Sequence, residues 1–336
     1  RLILMNSDQN LITIENISVD FYFQENFLSK KQKIQAVKNV SLNIKKGSFV
    51  GLVGESGSGK TTLGRAILAA NKISSGKMIF HDGDKDYDLT NISKQELKEY
   101  RKKAQLIFQD PYAALSPRMT VRDIIAEPLE VMKITNTREE TDERVREIAS
   151  KCRLNLEHLR RYPHAFSGGQ RQRISIARAL VSNPKFIVAD ESVAALDVSI
   201  QADILNLLKS LRKELNLTYL FISHDLSVVA HVCDVVAVMY LGHIVEIAPS
   251  RELFKNPRHS YTKALLSSIP SIDPEKQSNA IELKGEIPSA MNPPSGCVFR
   301  TRCPNPTHDC KEGNIEMGLI EVSPGHWVDQ CCVNCK

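Results

Sequence analysis

Gly54-Glu55-Ser56-Gly57-Ser58-Gly59-Lys60-Thr61-Thr62 is the stretch on which the fold turns. It fits G-x-x-x-x-G-K-[ST], a phosphate-binding loop. The apolar run Phe49 to Val53 precedes it and reads as a buried strand. Leu63, Ala66, Ile67 and Ala70 follow at helical spacing. The loop therefore lies between a strand and a helix N-terminus, where phosphate binding requires it. Its glycines let backbone N–H groups close around phosphate oxygens with no Cβ in the way. The helix N-terminus adds donors and the positive end of a dipole. This placement predicts Lys60 at the β- and γ-phosphates and the Thr61 hydroxyl on Mg²⁺. A Gly/Ser-rich turn before an ordinary helix would need none of these features together.

The 336 residues suffice for a large core and two domains. Apolar content of 42% and charged content of 25% are those of a globular protein. A net charge of +5 is too mild to suggest a nucleic-acid partner. No apolar run approaches the ~18 residues of a membrane-spanning helix. The apolar stretch near the N-terminus is too short for a signal peptide. The expected compartment is the cytoplasm, where the eight cysteines would be mostly reduced. Six of the eight lie between Cys297 and Cys335.

Along the chain, Leu11 to Phe23 reads as a strand with Ile12, Ile14, Ile17, Val19, Phe21 and Phe23 in alternation. Val37 to Ile44 reads as a second strand, and Ile79 to Gly83 as a further strand and turn. These precede or flank the loop as an antiparallel layer. Thr137 and Glu140 form a capping-box pattern ahead of Val145, Ile148 and Cys152 at helical spacing. Beyond Arg173, strands and helices alternate: Phe186 to Ala189, Ile200 to Leu215, Tyr219 to Ile222. Val235 to Met239 and Ile244 to Ile247 read as a hairpin around Leu241-Gly242. The alternation predicts an α/β fold with a mostly parallel sheet covered on both faces. After Pro257 the texture changes, with Pro270, Pro274, Pro288, Pro293 and Pro294 breaking the chain into turns.

Two further stretches carry chemistry. Phe186 to Glu191 is an apolar strand ending in two carboxylates. Asp190 at the strand end suits Mg²⁺, and Glu191 one residue on suits polarising a water for attack on a γ-phosphate. Ser167-Gly168-Gly169-Gln170 opens a second glycine-rich helix start, with Ser167 as N-cap.

Phe166 to Gln170 resembles LSGGQ, the signature of the ATP-binding-cassette family, with Phe166 in place of Leu. The other motifs of that family follow in order. Gln109 in LIFQDP matches the Q-loop glutamine, Ala195-Leu196-Asp197 the D-loop, and His224 in FISHD the switch histidine. Phe21 sits at about the place of the aromatic that stacks on adenine. Ser192 departs from the Pro common after the glutamate. FQDPYAALSPRMTV (108–121), RYPHAFSGGQRQR (161–173), SVAALDVSIQADILNLL (192–208), HSYTKALLSSIP (259–270) and NPPSGCVFRTRCP (292–304) narrow the resemblance. They look like the ATPases of oligopeptide, dipeptide and nickel importers, and in particular the second ATPase of the heterodimeric peptide importers.

The resemblance implies a P-loop NTPase fold of that family: a mixed sheet, an antiparallel β layer, a helical subdomain over about 110–180, and a small Cys-containing C-terminal unit. The ATP-binding domain would span 11–257 and the importer-type tail 258–336. ATP would be held by Phe21, Gly54, Glu55, Ser56, Gly57, Ser58, Gly59, Lys60, Thr61, Thr62 and Gln109, with Mg²⁺ on Thr61, Gln109 and Asp190. Glu191, His224, Gln109 and Lys60 would carry hydrolysis. Ser167, Gly168, Gly169 and Gln170 would complete the partner's ATP site. The implied partners are a second, paralogous ATPase subunit, two permease subunits and an extracellular or periplasmic substrate-binding protein, at the cytoplasmic face of the membrane. The cargo would be oligopeptides or dipeptides; a nickel or metal-chelate cargo is the alternative. A soluble cassette protein acting on ribosomes or DNA usually carries two cassettes or a long coiled-coil insert, and neither is present here.

Cys297, Cys303, Cys310 and Cys331 lie in a short, turn-rich segment and suit a tetrahedral site, structural zinc or a 4Fe-4S cluster. Some members of the importer family carry a 4Fe-4S cluster in this tail. Cys332 or Cys335 can replace Cys331, and reduced thiols without metal are the bland alternative.

Overall fold

Phe49–Val53 is buried at every position. A strand with no alternation is covered on both faces, as parallel strands between helices are. The computed structural model describes residues 9–24, 31–83, 85–269, 281, 283 and 285–333. Among the described residues the strands are β1 (Asn10–Phe23), β2 (Gln32–Lys45), β3 (Phe49–Val53), β4 (Ser75–His81), β5 (Asp86–Asp88), β6 (Ala104–Ile107), β7 (Phe186–Asp190), β8 (Thr218–Ser223), β9 (Val235–Tyr240), β10 (His243–Pro249), β11 (Leu319–Ser323) and β12 (His326–Asp329). The chain divides into two units. One comprises the described residues of Arg1–Ile44, Phe49–Thr90 and Ser223–Lys336; the other comprises Lys45–Ser48 and Asn91–Ile222.

In the first unit, β3 runs parallel to β9, with Val50 opposite Val235 and Val53 opposite Val238. The hairpin expected around Leu241-Gly242 is present as the antiparallel pair β9–β10. The order β11-β12-β10-β9-β3 continues this sheet into the tail, with β10–β12 and β12–β11 antiparallel. At Gly51 a Cβ would come 2.8 Å from Val229 and 2.9 Å from the Cys233 sulfur, so glycine lets the helix Leu226–Val232 lie close on β3.

A second, antiparallel layer has the order β2-β1-β4-β5. The uniform alternation expected for β1 is not what the structure holds. Ile12 and Ile14 are buried, and so are Ile17 and Val19, which lie at the opposite parity. The register against β4 slips between Glu15 and Ser18, and Asn16 adopts φ 49°. This bulge takes up one residue, and without it Ile17 and Val19 would point to solvent. β2 also starts earlier than expected, at Gln32.

The tail is anchored by one carboxylate. Glu246 on β10 accepts the N–H groups of Arg258 at 2.7 Å and His259 at 3.0 Å, and lies 2.7 Å from His326 Nε2. The Glu246 and His326 side chains are fully buried.

In the second unit, β6, β7 and β8 are parallel, in the order β8-β7-β6. The helix Val121–Val131 packs on the helices Arg138–Lys151 and Gly168–Leu180. The capping box expected at Thr137 and Glu140 forms only by half. The Thr137 hydroxyl accepts from the Glu140 N–H, but the Glu140 carboxylate turns to the Asn136 N–H and to Arg144 instead. A complete box stands at Ser93 and Glu96, which the sequence reading passed over.

Candidate active site

The phosphate loop is built as its spacing predicts. Gly54 has φ 151° and Gly59 φ 104°. A Cβ at Gly54 would sit 2.1 Å from the Met239 carbonyl oxygen, and one at Gly59 would sit 2.3 Å from that of Ala36. No other residue type fits either place. The helix Lys60–Ile67 begins directly after, capped by Gly59 without a side-chain acceptor and with no acidic residue in its first turn. Such an N-terminus favours an anion. Lys60 is buried, and its ammonium donates to the Gly54 and Glu55 carbonyls at 2.8 Å each and to Ser58 Oγ at 3.3 Å. The ammonium charge is folded back on its own loop.

Residues of the tail hold the loop from outside. The Glu55 N–H donates to the Tyr261 hydroxyl at 2.8 Å. Arg302 donates to the Glu55 carboxylate from Nη1 at 2.7 Å and from Nη2 at 3.1 Å. Nothing in the sequence reading singled out Tyr261 or Arg302. Phe21, at the end of β1, is 43% exposed, so its ring is open to a ligand. His224 is exposed, one residue after β8 in the chain, and Asp225 caps the helix that follows.

The second unit brings Gln109 and Glu191 together. The Gln109 side-chain amide donates to the Glu191 carboxylate at 2.7 Å, across 82 residues of sequence. Asp190 ends β7, and the chain turns at Glu191, which adopts φ 45°. That region is uncommon for a non-glycine residue, and such strain collects at functional sites. The Glu191 N–H donates to the Ile222 carbonyl at 2.9 Å, and the Ala194 N–H to the Glu191 carbonyl at 3.1 Å, so the turn is over-determined. Ser192 is buried with its hydroxyl unpartnered among the described residues. Ser167 and Gln170 form a full capping box at the start of the helix Gly168–Leu180. Ser167 is exposed, whereas at Gly169 a Cβ would come 2.5 Å from Ile200. Glycine at 169 therefore seats this helix on the helix Val198–Leu215, whose N-cap is the exposed Asp197.

The cysteines of the tail sort into two groups. Cys297, Cys331 and Cys332 are buried together, with the Cys331 sulfur 3.2 Å from that of Cys297 and 3.7 Å from that of Cys332. Ligand atoms of His259, Cys331 and Cys332 lie within 4.8 Å of one another. Cys310 is buried, and its sulfur accepts from the Thr307 hydroxyl at 3.1 Å. Cys303 is half-buried, and Cys335 lies outside the described residues. The Cys331 thiol, donating towards its neighbours, lowers the pKa of Cys297 to about 5 and that of Cys332 to about 3, while its own is driven up. His259 Nδ1 accepts from the Tyr261 N–H at 3.1 Å, which leaves Nε2 to carry the proton. The Nε2 atom is buried and makes no hydrogen bond among the described residues. The donor set is rich in sulfur, the ligand type of zinc and iron–sulfur sites.

The family described as ABC transporter matches residues 37–194, and that described as oligopeptide/dipeptide transporter, C-terminal region, matches residues 245–310. The putative oligopeptide transport ATP-binding protein YkfD of Bacillus subtilis is 51% identical over 301 residues, covering 89% of this chain and 90% of that protein. The oligopeptide transport ATP-binding protein AppF of the same organism is 50% identical over 309 residues, covering 90% and 91%. The dimeric, post-hydrolysis structure of the ATP-binding cassette MJ0796, bound to ADP and Pi, matches with a TM-score of 0.62 at 30% identity, over 71% of this chain and 99% of that one.

Proposed function

This chain belongs to the ATP-binding proteins of oligopeptide and dipeptide ABC transporters, and from that premise we propose that it hydrolyses ATP to power uptake of oligopeptides or dipeptides across the cytoplasmic membrane. The observation that carries the reading is the phosphate loop, shaped by Gly54 and Gly59 and filled by the folded-back Lys60 ammonium. On ATP binding, Lys60 would exchange its loop carbonyls for the β- and γ-phosphates, Thr61 and Asp190 would hold Mg²⁺ with Gln109, and Phe21 would stack on adenine. Glu191 would polarise the attacking water, with Gln109 orienting it and His224 completing the γ-phosphate contacts. Ser167, Gly168, Gly169 and Gln170 would close over the ATP of a paralogous partner ATPase, with Asp197 beside them. Two permease subunits and a substrate-binding protein complete the importer, with this chain at the cytoplasmic face of the membrane. The similarity to oligopeptide transport ATP-binding proteins favours peptides over a nickel chelate.

The tail cysteines are proposed to hold a metal, a 4Fe-4S cluster ahead of zinc. Cys297, Cys331 and Cys332 supply three of the sulfurs. Cys303, half-buried, and Cys310, buried, are the candidates for the remaining position. When bound, the group would tie the turns of this segment together. The His259 N–H would donate to the coordinating sulfurs and keep solvent protons from them.

The transport reading is tested in proteoliposomes holding this chain with its co-purified membrane subunits and binding protein. ATP-dependent accumulation of a labelled tripeptide is expected, and its loss with Lys60→Ala. Accumulation that persists with Lys60→Ala, or no peptide transport by a complex that hydrolyses ATP, would refute it.

A further inference from the structure

Glu55 is the acidic side chain of the phosphate loop. A bare carboxylate beside an incoming triphosphate opposes binding, because like charges at close range repel. In the structure this carboxylate is not bare. Arg302 meets it as a fork, with both of its oxygens engaged. The Arg302 side chain is itself buried, 8% exposed, against 25% for Glu55. Arg302 Nη1 also lies 3.4 Å from the Tyr240 hydroxyl. The rings of Tyr240, Tyr261 and Phe299 pack with centroids 4.6 to 5.4 Å apart and form the wall that supports it. Planar, bidentate pairing of this kind fixes orientation as well as charge.

The backbone of residue 55 is held too, since its N–H is committed to the fully buried Tyr261. Lys60 supplies the complementary grip, through the carbonyls of Gly54 and Glu55. When Lys60 leaves for phosphate, those carbonyls lose it. The grip from Arg302 and Tyr261 does not depend on Lys60 and stays.

We propose that Arg302, assisted by Tyr261, is a positioning residue for the nucleotide: it neutralises Glu55 and keeps residue 55 in place while Lys60 moves to the phosphates. The importer-type tail is then a component of ATP affinity and not only an appendage of the cassette. This rests on the reading that the loop binds ATP. The grip acts alike on bound ATP and on its transition state, so its loss raises KM and spares kcat.

The test uses the full-length protein and its assembled complex, with ATP binding measured by calorimetry in Mg²⁺ and ATPase kinetics measured in parallel. Arg302→Met should weaken ATP binding by about tenfold, the scale of one charge-assisted fork, with KM rising in step and kcat within about twofold. Arg302→Lys should recover part of the loss. Glu55→Gln/Arg302→Met should lose clearly less ATP affinity than the sum of the losses of the two single variants, because both act through one pair; additive losses would mark a general packing role and overturn the proposal. Tyr261→Phe keeps the ring and removes the hydroxyl. It is the second variant should Arg302→Met fold poorly, with binding about threefold weaker expected and unchanged binding counting against the proposal. If wild type binds ATP but Arg302→Met and Tyr261→Phe bind it equally well, this inference falls alone. If wild type binds no ATP, or Lys60→Ala binds it as wild type does, the ATP reading falls first.

Discussion

Replacing Glu246 by Leu should detach the tail from β10. The carboxylate has no exposed surface and accepts from the Arg258 and His259 N–H groups, with His326 Nε2 at 2.7 Å. A leucine accepts none of these, so three buried polar groups lose their partner. Three buried donors orphaned at about 1–3 kcal/mol each cost at least about 3 kcal/mol, in line with the about 3–5 kcal/mol for removing a buried carboxylate from its partners. The chain's single tryptophan, Trp327, is the ideal reporter, because it lies on β12 beside His326 and pairs with Ile247 of β10. Urea titration followed by Trp327 fluorescence should show the transition moving down by roughly 2 M, taking about 2 kcal/mol/M for the slope. Glu246→Gln keeps shape but turns an N–H₂ group towards a donor, so about half that shift is expected. Glu252→Gln, whose carboxylate lies 4.0 Å from His326 Nδ1 and is 36% exposed, should change little. A shift of less than about 0.5 M for Glu246→Leu, near 1 kcal/mol, would refute the anchor.

Glu191→Gln should leave ATP binding intact and lower hydrolysis in the assembled complex by about 10² or more, since the water-polarising carboxylate is lost; a near wild-type rate would remove Glu191 from that role. His243 is buried, and burial, with a smaller effect from Lys38, lowers its pKa to about 4 against an ordinary 6.5. Between those values the unfolded chain takes up a proton that the folded one refuses. Stability should therefore fall as pH drops from about 6.5 towards 4 and level off below, by up to about 3 kcal/mol at this one site. His243→Phe should flatten the melting temperature across that window, and an unchanged slope would contradict the assignment. Anaerobically purified protein should contain iron or zinc by elemental analysis, lost with Cys297→Ser while ATP binding remains; absence of both metals from wild type would end the metal proposal.

Much of the chemistry was legible along the chain. The phosphate loop, the apolar strand ending in Asp190 and Glu191, and the capped start at Ser167 are local patterns. Each is specified by a few adjacent residues whose backbone conformation or period allows one reading. The hairpin around Leu241-Gly242 was legible for the same reason. The bulge at Asn16 was not: six apolar residues in β1 suggested an even alternation, and the step from Ile14 to Ile17 was the one sign of a parity change. The half-formed box at Thr137 failed because Glu140 had nearer donors, in Asn136 and Arg144.

Sequence by itself determined which segments form glycine-shaped loops, start helices and form buried strands, because those choices depend on neighbours within a few residues. Only the tertiary structure decided which polar groups meet. Gln109 finds Glu191 across 82 residues, His326 finds Glu246 across 80, and Arg302 finds Glu55 across 247. A charged side chain carries no mark of its partner. Its pairing is settled by where the chain path carries it, and at Glu246 and Arg302, where that place is buried, the charge must be matched while the same residue in water need not be. The cysteines follow the same rule. Spacing marked out the cysteines of the tail, and packing put the Cys331 and Cys332 sulfurs beside the His259 ring.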